Sequence, residues 1–180
     1  MKKLGAYLPS LLTGVNITVG TLAILLVDSV QVWAVALLIA IGAGADFFDG
    51  FFARKMKAAT DFGKQLDSLA DIITFGIAPL RLIWHVLGCG FTLPLLAVTI
   101  IYMCVAAYRL ARFNISGCSC CFQGLPITAA GVGLIVWSLL CYYLASQCQI
   151  AAATYIFMLL LAVAMASKLK IKKPLGKFNP

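Results

Sequence analysis

The chain reads as long apolar runs separated by short polar breaks, with no strict alternation of polar and apolar positions anywhere. Six runs approach the roughly 20 residues needed to cross a bilayer as a helix. They cover about Leu11–Val27, Val30–Phe52, Thr60/Asp61–Trp84, Leu93–Tyr108, Ile127–Leu144 and Ile150–Ala166. An LGAYLPS segment precedes the first and suits the membrane interface. Asp28-Ser29 predicts a tight turn, His85–Gly90 a loop, Arg109–Pro126 a longer polar loop, and SQCQ a further turn. Thr60 or Asp61 can cap the third helix. Continuous rather than alternating runs exclude a β-barrel. The pattern predicts an all-α polytopic membrane protein, with residues 1–180 forming a single domain and no internal repeat.

Composition strengthens this reading. Of 180 residues, 63% are hydrophobic and 11% charged, against about 25% charged in ordinary soluble domains. The net charge of +8 would suit nucleic acid were it gathered on a polar domain, but the cations stand beside helix ends. With both termini cytoplasmic, every one of the 14 Lys and Arg residues except Arg81 falls on the inner side, as the positive-inside bias requires. No nucleic-acid role is expected. Cys118, Cys120 and Cys121 form a CSCC cluster with no second CxxC or nearby His to complete a zinc set. Cys89 and Cys148 fall in the two outer loops. No cleavable signal pattern follows Lys3.

Against this background the acidic residues stand out. All six are aspartates, and five lie between Ala45 and Asp71: Asp46, Asp49, Asp61, Asp67 and Asp71. On a helix, Asp46 and Asp49 project about 60° apart and Asp67 and Asp71 about 40° apart. Two antiparallel helices can therefore point four carboxylates into one small volume near the cytoplasmic face. Unpaired carboxylates there carry a desolvation cost of several kcal/mol per ion. A hard divalent cation, Mg²⁺, Mn²⁺ or Ca²⁺, would offset it. Pairing with Arg54, Lys57 or Lys64 is the structural alternative, and an ion or metal transporter the functional one. Transport should spread polar residues over several depths, whereas these share one. Asp61 lies off the spacing and is expected to cap its helix. Gly50, Ala53 and Gly63 are small residues one turn from the carboxylates, where they leave room for a flat ligand or allow close helix packing. The lone histidine, His85, is on the outer side, so it is not a candidate base.

The run Asp46-x2-Asp49-Gly50-x2-Ala53-Arg54-x8-Gly63-x3-Asp67-x3-Asp71 resembles the signature of the CDP-alcohol phosphatidyltransferase family at every fixed position. The resemblance implies that Asp46, Asp49, Asp67 and Asp71 surround two divalent ions. Asp71 would be the general base that deprotonates an acceptor alcohol. Gly50, Ala53 and Gly63 would accommodate the cytidine, and Arg54 would stabilise the site or contact phosphate. The implied donor is CDP-diacylglycerol or CDP-archaeol, the leaving group is CMP, and a homodimer is expected. DSLAD-IITFGIAP, the RLARFN segment at Arg109–Asn114 and Gly124-Leu125-Pro126 are similar to segments of the small prokaryotic phosphatidylserine synthases. So is LPSLLTGVNI, with Ser10 where Asn is common. That likeness implies L-serine as acceptor, with glycerol phosphate and inositol phosphate as the alternatives within the family. Arg109 and Arg112 would offer planar forks to a carboxylate or phosphate, and Asn114 would contact the serine ammonium or hydroxyl. Positive-inside anchoring alone also explains both arginines.

Overall fold

The computed structural model describes residues 2–55, 60–88, 90, 92–116, 122–144, 147–167 and 170–171. Among the described residues the protein is all-helical apart from one two-residue ladder. In order come α1 (Lys2–Leu26), α2 (Val32–Lys55), α3 (Asp61–Asp71), a π-helical segment (Ile72–Ile77), α4 (Ala78–Leu87), α5 (Leu93–Ser116), α6 (Ile127–Leu144) and α7 (Gln147–Ala166). The strands β1 (Phe122–Gln123) and β2 (Lys170–Ile171) pair antiparallel, joining the segment before α6 to the one after α7. The sequence pattern did not announce this pairing, because two residues are too few to show a period.

Among the described residues three rods are long and apolar enough to cross a membrane: Val32–Phe51, Asp61–Leu87 and Leu93–Ile115. Leu11–Leu26, Ile127–Tyr143 and Ile150–Ala166 are shorter apolar helices. The six expected segments are thus all helical, but several boundaries shift. The LGAYLPS segment continues into α1 as one helix. The fourth helix does not end at Tyr108 but runs on to Ser116, so Arg109, Arg112 and Asn114 are helical rather than part of a loop. His85 lies in the last turn of α4, not in the following loop. That helix is closed by Gly88 in the left-handed conformation at φ 58°, which glycine adopts without a Cβ penalty.

Thr60, not Asp61, caps α3: its hydroxyl accepts the Gly63 N–H at 3.0 Å. Asp61 is the first helical residue, where a carboxylate complements the positive end of the helix dipole. The α1–α2 turn is closed by the Ser29 and Val30 N–H groups on the Leu26 carbonyl. Asp28 in that turn meets Arg81 and His85 of α4, which accounts for the one basic residue expected on the outer side.

Packing follows two clusters. Ala23, Val35, Ile39 and Leu82 join α1, α2 and α4, while Phe75, Tyr102, Leu134 and Met158 join the π segment to α5, α6 and α7. Large apolar side chains cover the outside, including Leu25, Leu93 and Val163 at 68%, 83% and 68% exposure, as expected of surfaces whose solvent is lipid. The half-buried Trp84 and Trp137 donate to Thr99 and Thr154, each at 3.0 Å, tying α4 to α5 and α6 to α7. The Gly-Leu-Pro run has a structural role. Gly124 takes φ 75° against the last carbonyls of α7, and the Leu125 N–H donates to Ala164 at 3.1 Å, satisfying a helix-end acceptor.

The π segment is held by close approach on two sides. A Cβ at Gly131 of α6 would lie 2.8 Å from the Phe75 carbonyl oxygen and 2.9 Å from its Cβ. Gly131→Val should therefore destabilise the fold by about 1–3 kcal/mol through overpacking. The reading is a lower thermal midpoint in detergent; an unchanged midpoint would show that the π segment is not wedged against α6.

Candidate metal and catalytic centre

The carboxylates sit where α2 and α3 approach across α1. Helix α1 packs closely against both α2 and α3, while α2 reaches the third rod through its π segment and α4. The acidic residues therefore span a cleft whose back wall is α1. One carboxylate oxygen from each of Asp46, Asp49 and Asp67 lies within 4.8 Å of the others, close enough for a single cation to touch all three. Asp49 is buried and Asp46 and Asp67 half-buried. Asp71 is outside that compact group, but its carboxyl packs beside that of Asp46, as does Asp67's. The Oδ1 atoms of Asp67 and Asp71 are buried without a hydrogen-bond partner among the described residues. Buried like charges with unfilled lone pairs are unfavourable alone and match the demands of a hard cation, which takes oxygen ligands.

Two groups around the cluster were not singled out by spacing. Thr13 of α1 donates its hydroxyl to Asp49 Oδ2 at 2.8 Å, fixing one oxygen of a buried carboxylate. Thr74, in the π segment one turn beyond Asp71, donates to the Asn16 carbonyl at 3.1 Å. The sequence carried a signal for both: each is a polar residue inside an otherwise apolar run.

Arg109, on α5, is 6% exposed and stands close enough to Asp71 and Arg112 for the three charges to interact. Its Nε has no hydrogen-bond partner among the described residues. Thus one of the cationic residues flagged from sequence is brought to the carboxylates. Arg112 packs over the Tyr108 ring at 5.9 Å. Asn114 is engaged structurally: its Nδ2 donates to Ser68 Oγ at 2.9 Å and to Gln65 Oε1 at 3.3 Å. Lys64 Nζ adds a bond to the Asn114 carbonyl at 3.0 Å. These contacts pin α5 to α3 beside the cluster.

Gly50 is half-buried next to Asp49. Gly63 is half-buried at the start of α3, and a Cβ there would come within 3.1 Å of the capping Thr60 hydroxyl, so its smallness also serves the cap. The side chains of Ala53 and Arg54, at the end of α2, lie outside the described residues, as do Lys57 and Cys118–Cys121. Cys89 is likewise outside them, and of Cys148 only the helical backbone is described, which leaves their expected loop positions without a test.

Fold and site together define a class: a bundle of apolar helices holding a partly buried carboxylate cluster suited to a divalent cation. The chain belongs to the CDP-alcohol phosphatidyltransferase family, whose model matches residues 6–172. It is 38% identical over 135 residues to the CDP-diacylglycerol–serine O-phosphatidyltransferase of Bacillus subtilis (strain 168), covering 73% of this chain and 75% of that protein. The protein of the same name from Helicobacter pylori (strain ATCC 700392 / 26695) is 36% identical over 135 residues, covering 73% and 57%. The archaetidylserine synthase of Methanothermobacter thermautotrophicus is 36% identical over 139 residues, covering 76% and 59%. The chain therefore spans three quarters of the Bacillus relative and less than two thirds of the other two.

The Asn114 contacts generate a stability prediction. Asn114→Ala should cost about 1–3 kcal/mol, because it removes bonds between α3 and α5 and leaves part-buried partners unsatisfied. Thermal unfolding in detergent measures this, and an unaltered midpoint would mean that the link contributes nothing.

Proposed function

We propose that this protein transfers a phosphatidyl or archaetidyl group from a CDP-activated lipid to L-serine, releasing CMP. Family membership and the names of the relatives support the reaction class and the acceptor. The observation that carries the mechanism is the convergence of Asp46, Asp49 and Asp67 within 4.8 Å, with Asp71 and the buried Arg109 alongside.

The donor set fits a hard divalent cation: carboxylate oxygens of three aspartates are clustered, and Asp67 also carries a buried, unpartnered oxygen among the described residues. Asp46, Asp49 and Asp67, with Asp71 adjacent, would hold two Mg²⁺ or Mn²⁺ ions. When bound, such ions neutralise the donor diphosphate and stabilise charge on the attacking and leaving oxygens. The chain's residues do the rest. Asp71 takes the proton from the serine hydroxyl. The freed oxygen attacks the lipid-side phosphorus, and the bond from that phosphorus to the CMP oxygen breaks. No cysteine or histidine is placed as a covalent nucleophile among the described residues of the cluster, so displacement is direct. Arg109 offers its guanidinium to the serine carboxylate and orients Asp71 by charge. Thr13 fixes one oxygen of the Asp49 carboxylate by its hydrogen bond. Gly50, Ala53 and Gly63 give the cytidine room, and Arg54 contacts its phosphates. Arg112 and Asn114 complete the acceptor side.

The same reading sets the topology: six spans, both termini and the carboxylate cluster on the cytoplasmic side of the cell membrane, and a homodimeric assembly. The concentration of Lys and Arg beside one set of helix ends supports that orientation.

Purified protein given CDP-diacylglycerol, Mg²⁺ or Mn²⁺ and one acceptor at a time should release CMP with L-serine. It should release none after chelation of the metal. Release with glycerol phosphate or inositol phosphate, but not serine, would refute the acceptor. Asp49→Ala and Asp67→Ala should abolish turnover and weaken metal-dependent CDP-lipid binding. Asp71→Asn should lower turnover about 10²–10⁴-fold, the span of general-base contributions, while largely keeping CDP-lipid affinity. Normal turnover in Asp71→Asn would remove it as the base.

A further inference from the structure

Asn16 is completely buried in α1, and neither its Nδ2 nor its Oδ1 has a hydrogen-bond partner among the described residues. Buried side-chain amides are normally satisfied, and one left unmade on both atoms is unfavourable. Packing does not explain it, because a leucine would fill similar volume without that penalty. Two glycines border the place. A Cβ on Gly42 would lie 2.9 Å from Asn16 Oδ1 and 2.8 Å from Thr74 Cγ2, and one on Gly20 would collide with the Thr74 hydroxyl. The fold thus leaves out side chains on two helices around an amide that makes no side-chain hydrogen bond.

Register says what the amide is for. Helices α1 and α2 are joined by a tight turn and pack antiparallel, so a step forward on one matches a step back on the other. Thr13 bonds Asp49; three residues on along α1 is Asn16, and three residues back along α2 is Asp46. Residues three apart share a helix face, so Thr13 and Asn16 form one stripe facing the two α2 carboxylates. Helical side chains also lean toward their own N-terminus, a direction that leads from Asp46 toward Gly42, the residue that Asn16 Oδ1 faces. In the arrangement seen, Asp46 turns instead toward Asp67 and Asp71.

We propose that Asn16 is a positioning residue for Asp46: its Nδ2–H₂ donates to the Asp46 carboxylate from the α1 side and orients it as a ligand, as Thr13 does for Asp49. The proposal rests on the divalent-metal reading of the cluster. Partners that orient ligating carboxylates typically change metal affinity 10–100-fold when removed.

The test uses the full-length protein in detergent, with Mn²⁺ alone as the probe and titration calorimetry as the readout. Asn16→Leu should weaken Mn²⁺ binding at least about 10-fold and leave the thermal midpoint of metal-free protein equal to or above that of the unsubstituted protein. A purely structural asparagine would give the opposite pattern: a lower midpoint with unchanged Mn²⁺ affinity. Should Asn16→Leu not fold, Asn16→Ser and Asn16→Ala replace it. Serine keeps a donor and should bind Mn²⁺ more tightly than alanine, and equal affinities would overturn the role. If the unsubstituted protein itself takes up no Mn²⁺, the metal site fails and this proposal with it. If it binds Mn²⁺ and Asn16→Leu binds as well, only the Asn16 role fails.

Discussion

Everything in this protein answers to one electrostatic constraint: four carboxylates from two helices share a cleft walled by apolar helices. Like charges in a weakly screened setting repel strongly. Such a cluster persists only if the surrounding helices hold it rigidly. Helix α1 does so from behind, packing on both α2 and α3 and bonding Asp49 through Thr13. Helix α5 does so from the side, through Asn114 on Ser68 and Gln65 and through the charge of Arg109 facing Asp71.

The π segment directly after Asp71 belongs to the same design. Its widened turn comes where the third rod leaves the carboxylates and meets α1 at Gly20, α2 at Gly42 and α6 at Gly131. π-helical turns recur at functional sites because they shift the side chains that follow by an extra residue. Here Thr74 is set into the α1–α2 junction, where it bonds the Asn16 carbonyl. Close-packed glycines replace the hydrophobic driving force that lipid cannot supply between helices.

Much of this was legible in the residues. Apolar run length gave the helices, and i, i+3 and i, i+4 spacing gave the carboxylate cluster, because both depend on local periodicity alone. What spacing could not give was the third wall. Asp46–Asp49 and Asp67–Asp71 read as two facing helices, but α1 packs against both and provides Thr13 and Asn16, contacts that depend on tertiary register. Arg109–Asn114 read as loop because charge interrupts the apolar run, yet helix propensity and packing against α3 carry α5 on to Ser116. Thr60 and Asp61 were interchangeable as caps in sequence, and only the Gly63 N–H direction distinguishes them. The β1–β2 pairing joins residues far apart in the chain and had no local signal.

The most direct measurement is an anomalous-scattering map at the manganese edge from crystals of the protein grown with Mn²⁺. Density within coordination distance of carboxylate oxygens from Asp46, Asp49 and Asp67 is the expected result. Protein that releases CMP with Mn²⁺ present, yet shows manganese bound elsewhere or not at all in that cleft, would contradict a catalytic metal site built from these aspartates.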